Sequence, residues 1–187
     1  MATDTSPSTP PSRPKIKLDY RDYCCLPDDG RRHEIIDGDH YMTPAPSTTH
    51  QTVSKRLQYQ FYTQIELAGL GVVFGAPVDV QLTDHDVVQP DLVVILKDRT
   101  RMITPAKIDG PPAHVVEILS PSTSSNDTTL KKHLYERAGV GEYWIADPDS
   151  RRLEQYRLLD GGYRLEPHAD PNTAFSGSLR IRHADIW

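Results

Sequence analysis

The sequence predicts an α/β fold in which a mixed β-sheet is flanked by helices. Three observations carry that expectation. Short apolar runs of strand length cluster centrally, at residues 72–74, 78–82, 92–96 and 114–119. Segments of helical spacing lie on either side of this cluster. The longer contains Val53, Leu57, Phe61, Ile65 and Ala68, and the shorter runs from Asp127 or Thr128 to Gly139. Two hairpin signals, Asp37-Gly38 and Asp160-Gly161-Gly162, stand near the two ends.

Residues 1–14 are Ser, Thr and Pro with little else, a composition that cannot bury enough apolar surface to order itself. They read as a disordered tail, and residues 15–187 as one domain. Residues 16–26 have the pattern of a short helix with Leu18, Tyr20 and Tyr23 on its apolar side, ended by Pro27-Asp28-Asp29-Gly30. Arg32–Ile36 and Asp39–Thr43 flank the first hairpin signal. Alternation places Glu34 and Ile36 on one face, and the pattern alone reads Glu34 as solvent-facing. Ser47 caps the long helix, with His50 in its first turn. Gly69 and Gly71 end that helix.

The strands at 72–74, 78–82 and 92–96 follow, with the polar turn Thr83-Asp84-His85-Asp86 joining the last two. Residues 100–112 read as an irregular loop, 114–119 as a buried strand and 120–126 as a loop before the second helix. A strand at 142–146 stops at Asp147-Pro148, and strands at 152–158 and 162–167 form the late hairpin. Tyr135, Tyr143 and Trp144 read as core.

The bulk numbers exclude several function classes. No apolar run approaches the ~20 residues that span a bilayer, and no positive region precedes an apolar one at the N-terminus. The two cysteines, Cys24 and Cys25, are adjacent, which is neither a disulfide framework nor a zinc site. A cytoplasmic location fits. The net charge is −5 and the sequence pI about 5.9. Nucleic-acid binders usually have a basic balance. Either the basic residues gather on one face, or the chain does not bind nucleic acid tightly by itself.

Two acids stand out chemically. Asp91 heads one apolar strand behind Pro90, and Glu117 lies inside Val-Val-Glu-Ile-Leu near the end of another. A carboxylate among valines is costly unless something cationic compensates it. If the strands are neighbours, the two carboxylates converge at one sheet end. Such a pair, with backbone carbonyls and water, suits Mg²⁺. Lys131, on the following helix, would supply an ammonium beside it. Lys132 points about 100° away around the helix axis, so both lysines cannot serve equally.

Several segments together carry a resemblance to a known family. They are Glu34-Ile35-Ile36-Asp37-Gly38, Pro90-Asp91-Leu92-Val93-Val94, the run from Val116 to Thr123, Asp127 with Lys131 and Tyr135, and the run from Gly139 to Ile145. Their order from Leu18 to the C-terminus resembles the Uma2 family of restriction-endonuclease-like proteins, within the PD-(D/E)XK nuclease superfamily. The resemblance implies a restriction-endonuclease-like mixed sheet and Mg²⁺- or Mn²⁺-dependent cleavage of DNA. It implies that Asp91, Glu117 and the Ile118 carbonyl hold the metal and that Glu34 orients a water or second metal. Lys131 would contact phosphate or water, and His50 matches a family position facing the site. The superfamily lysine lies two residues after its acid, where this chain has Leu119, and Lys131 is the substitute. The chain also has Ala113-His114 where family members often carry an acid.

Three functional readings follow. The first is a metal-dependent DNA endonuclease. The second is a nuclease-like module that binds nucleic acid or a protein partner without cutting, which the acidic balance favours. The third is a structural or dimerising module whose acids pair with arginines. A homodimer would form through the sheet edge after the 142–146 strand.

Overall fold

The computed structural model describes residues 16–120, 126–167, 173–176 and 179–187. The tail at 1–14 and most of the loop at 120–126 lie outside the described residues. Helix α1 is only Tyr20–Tyr23, started by a capping box between Asp19 and Asp22. Strands β1 (Arg32–Ile36) and β2 (Asp39–Thr43) form the expected hairpin. Its turn places Asp37 at φ 52° and Gly38 at φ 78°, the left-handed region that this dipeptide tolerates.

Helix α2 (Thr48–Phe61) starts where the Ser47 hydroxyl accepts the His50 N–H at 3.2 Å, and runs on into a wider π-helical turn at Tyr62–Glu66. Val53, Leu57, Phe61 and Ile65 are buried, whereas Ala68 is exposed beyond the last turn.

Strands β3 (Gly71–Gly75), β4 (Val80–Thr83), β5 (Asp86–Val88), β6 (Leu92–Leu96), β7 (Ile108–Asp109) and β8 (His114–Ile118) come next. The turn at 83–86 corrects the sequence reading: it joins β4 to β5, not to β6. β5 was not expected, because three residues show no periodicity. The irregular 100–112 segment holds the end of a 3₁₀ turn at Lys97–Met102, and also β7, which pairs in parallel with β4. Helix α3 (Lys132–Ala138) follows a π-helical turn at Asn126–Lys131 and ends at Gly139, φ 82°. Strands β9 (Glu142–Asp147), β10 (Arg152–Leu159) and β11 (Gly162–Leu165) follow, then the unforeseen hairpin β12 (Thr173–Ser176) and β13 (Leu179–Arg182).

Eleven of the described strands form two mixed sheets with helices packed on them, and β12 and β13 form a two-stranded sheet of their own. The first has the order β2-β1-β5-β4-β7 and the second β11-β10-β9-β8-β6-β3. Sheet edges differ from expectation: β9 lies between β8 and β10, so it offers no free edge for a second copy. The central strands of the second sheet, β6, β8 and β9, are buried on both faces. One face packs Leu92, Val94, Val116 and Trp144 against α2 and β13, and the other packs Val93, Val115 and Tyr143 towards the first sheet and α3. This explains their near-continuous apolar runs.

β13 is held by side chains of α2 and of the π-helical turn that continues it. Gln64 donates to the Arg180 carbonyl at 2.9 Å and accepts its N–H at 2.8 Å, and Gln60 accepts the Arg182 N–H at 3.0 Å.

Candidate active site

The chain leaves the first sheet at Val88 and enters the second at Leu92, so Gln89-Pro90-Asp91 bridges the two. Asp91 therefore sits in the seam between sheets. β6 and β8 are antiparallel neighbours with Leu92 opposite Val116. One residue further along that register, Asp91 faces Glu117. Glu34 reaches the same seam from β1, because its Oε1 accepts the Gln89 N–H at 2.8 Å.

The turn before α3 completes the cluster. Lys131 Nζ lies 2.9 Å from Glu34 Oε1, 3.1 Å from Glu117 Oε1 and 3.7 Å from Asp127 Oδ1. The four predicted side chains Glu34, Asp91, Glu117 and Lys131 thus line one cavity of about 170 Å³, together with His50 and Ile118. All are buried: Glu34, Asp91 and Glu117 are each 3% exposed and Lys131 7%. Glu34 is therefore not the solvent-facing residue that alternation alone suggested, because both faces of β1 are covered. Lys132 points elsewhere, with its ammonium 3.6 Å from the centre of the Tyr156 ring.

Three further contacts were not foreseen from the residues. Arg32 Nη1 pairs with Asp91 Oδ1 at 2.6 Å, an acid–arginine pairing of the kind the third reading expects, at a residue the sequence did not single out. Arg32 is two residues before Glu34, so alternation already put both on one face. Asp127, buried and one helical turn before Lys131, is a fourth carboxylate in the cavity. Tyr135 is core as expected, but its hydroxyl also donates to Glu117 Oε1 at 2.7 Å.

Asp91 and Glu117 are pushed in opposite directions. Burial opposes ionisation of Asp91, but the hydrogen bond and charge of His50 and the charge of Arg32 outweigh it and hold the carboxyl below its usual range. His50 Nε2 lies 2.9 Å from Asp91 Oδ2, and the Ile118 N–H donates to the same oxygen at 2.9 Å. Glu117 is raised well above the usual range, by burial first and then by the charges of Asp127, Asp91 and Glu34, against the pull of Lys131. Burial alone would favour a neutral Lys131, but Glu117, Glu34 and Asp127 outweigh it and keep the ammonium protonated.

The cavity thus gathers four carboxylates against Lys131, Arg32 and the His50 ring. Four carboxyl groups present hard oxygen atoms there, and a cation would favour ionisation of the raised Glu117, which is chemistry that suits a divalent ion. No trio of His, Cys, Asp or Glu among the described residues forms a ready chelate. A cation here would draw on Asp91, Glu117, the Ile118 carbonyl and water.

Comparison with known proteins gives a consistent picture. The sequence profile of the Uma2 family, described as "Putative restriction endonuclease", matches residues 19–183. An uncharacterized protein of Synechocystis sp. is 28% identical over 155 residues, covering 81% of this chain and 80% of its own length. A crystal structure described as "a putative nuclease belonging to DUF820" from Anabaena variabilis aligns with a TM-score of 0.75 at 20% identity, covering 90% of this chain and 97% of that one. This last likeness concerns the fold.

Proposed function

Because the chain belongs to the Uma2 family, we propose that it is a nuclease that hydrolyses phosphodiester bonds in DNA with the help of Mg²⁺ or Mn²⁺. The observation that carries this reading is the meeting of Glu34, Asp91, Glu117 and Lys131 in one buried cavity, from four separate segments of chain. Asp91, Glu117 and the Ile118 carbonyl would hold the metal. The metal supplies a polarised phosphoryl oxygen and a more acidic water.

The protein's own groups account for the rest. Lys131, kept cationic by its three acids, stabilises the charge that builds on the phosphoryl oxygens as water bonds to phosphorus and the bond to the leaving sugar oxygen breaks. Glu34 accepts from the Gln89 N–H and is placed to orient the attacking water. His50 and the Ile118 N–H fix the Asp91 carboxylate, and Tyr135 fixes Glu117.

The test is cleavage of supercoiled plasmid by the purified chain. Nicking and linearisation are expected with Mg²⁺ or Mn²⁺, and neither with a chelator or in Asp91→Ala and Glu117→Ala variants. A wild-type chain that cuts no nucleic acid with either metal would falsify the activity.

One observation favours the second reading, a module that binds without cutting. Both Asp91 oxygens are already engaged, Oδ1 by Arg32 and Oδ2 by His50 and the Ile118 N–H. Calorimetry separates the two: an inert site would take up no divalent cation from micromolar to millimolar concentration.

A further inference from the structure

The acidic balance of the chain leaves open where a nucleic acid would be held. The surface answers this on α2. That helix starts at the cavity, where Ser47 and His50 are lining residues. Further along it, Lys55, Arg56 and Tyr59 form one wall of a groove of about 790 Å³, with Arg180, Arg182 and Asp185 opposite. The helix rises about 1.5 Å per residue. Lys55 and Tyr59 are therefore roughly 8 and 14 Å along the axis from His50.

The groove has a simple construction. Arg56, Gln60 and Gln64 are spaced four apart and form one row on the helix, which faces β13. Lys55, Tyr59 and Thr63 form the adjacent, outward row. Arg180 and Arg182 are two apart on β13, so their side chains share one face of the strand. The lining thus carries four cations against the single carboxylate of Asp185, in a chain of net charge −5. Asp185 pairs with Arg182, and Arg56 donates to the Trp187 and Ile186 carbonyls, while Lys55, Arg56 and Arg180 are exposed to solvent. Tyr59 is 68% exposed, a large ring left standing beside Lys55. Cations along a groove with an exposed aromatic ring are the combination that tracks a nucleic-acid backbone and stacks a base.

We propose that this groove between α2 and β13 binds the sugar–phosphate backbone of the nucleic acid whose adjoining segment enters the Glu117 cavity. The proposal deepens the nuclease reading and rests on it for the identity of the strand. It also gives an acidic chain a local patch of four cations, out of 21 in all, on which a polyanion can sit.

The test is equilibrium binding of fluorescently labelled single-stranded and duplex DNA to the full chain in chelator, where no metal-assisted cleavage occurs. A Lys55→Glu/Arg180→Glu double variant reverses two exposed charges outside the catalytic cluster. Its affinity at low salt is expected to fall about tenfold or more, and the steepness of its salt dependence by about two phosphate contacts. A Tyr59→Ala variant should weaken single-strand binding more than duplex binding. Unfolding curves of the variants are expected to match wild type, which keeps the reading of affinity clean.

Unchanged affinity in the double variant, or no binding by the wild-type chain, overturns the groove. Reduced affinity together with an absence of cleavage under every metal condition upholds the groove and rejects the nuclease reading. Cleavage that persists with unaltered affinity does the opposite.

Discussion

Replacing Lys131 with methionine keeps most of the side-chain stem and removes an ammonium that lies within 3.7 Å of Glu34, Glu117 and Asp127. The three carboxylates then face one another across a buried cavity. Removing one partner of a buried ion pair typically costs about 3–5 kcal/mol, because the charge left behind has no water to turn to. A domain of this kind has roughly 5–15 kcal/mol in total. At about 2–4 °C per kcal/mol for a chain of this length, the melting temperature should fall by roughly 6–20 °C.

The pH dependence distinguishes this cause from a packing defect. Glu117 already sits above the ordinary carboxyl range, and loss of Lys131 removes the pull that opposes the rise. A carboxyl raised in the folded state favours folding where it is protonated and loses that advantage as pH climbs through its folded value. The deficit should therefore be full at neutral pH and shrink on acidification towards the ordinary glutamate range. Urea unfolding of both proteins across that interval is the measurement. A deficit below about 0.5 kcal/mol at neutral pH, the size of an ordinary surface change, would refute the reasoning. So would a deficit that is the same at every pH.

Three other outcomes are expected. Arg32→Met should raise the Asp91 carboxyl, whose depressed value stabilises the fold above the ordinary carboxylate range and is lost as pH falls through it. The acid-unfolding midpoint should move to higher pH, and calorimetric titration with Mn²⁺ should show tighter binding, because Oδ1 is released. Ser47→Ala deletes the acceptor of the His50 N–H and should cost about 1 kcal/mol in denaturant unfolding. Leu57→Ala, at a fully buried position on the inner face of α2, should cost about 2–5 kcal/mol and leave divalent-cation uptake unchanged, as metal titration would show.

What the sequence made legible follows from the length scale of each signal. The Asp37-Gly38 hairpin and the apolar stripe of α2 are local, and they appear where expected. The pairing of β6 with β8, which sets Asp91 across from Glu117, could be anticipated because an acid inside each apolar run needs a shared partner. Glu34 was harder. Alternation assigns a residue to a face but does not say whether another layer covers that face, and here both are covered. Arg32 escaped notice for a related reason: nothing in the chain near it signals a salt bridge to a residue 59 positions away. β5 and β7 have three and two residues, too few for any period to register. β13 was missed because its neighbour outside the hairpin is a row of glutamines and not a strand.

A carboxamide carries the same C=O and N–H groups as a peptide link. Two of them one helical turn apart are about 6 Å apart along the axis, close to the ~6.6 Å between alternate residues of an extended chain. Gln60 and Gln64 thereby imitate two rungs of a ladder, and the outer rim of the hairpin is sealed by a helix posing as a strand. Exchanging either for glutamate would keep the acceptor but leave one N–H donor too few, setting a carboxylate oxygen against a backbone carbonyl of β13. An innocuous-looking amide-to-acid change, such as slow deamidation, would then loosen the hairpin from the helix, away from the Glu117 cavity.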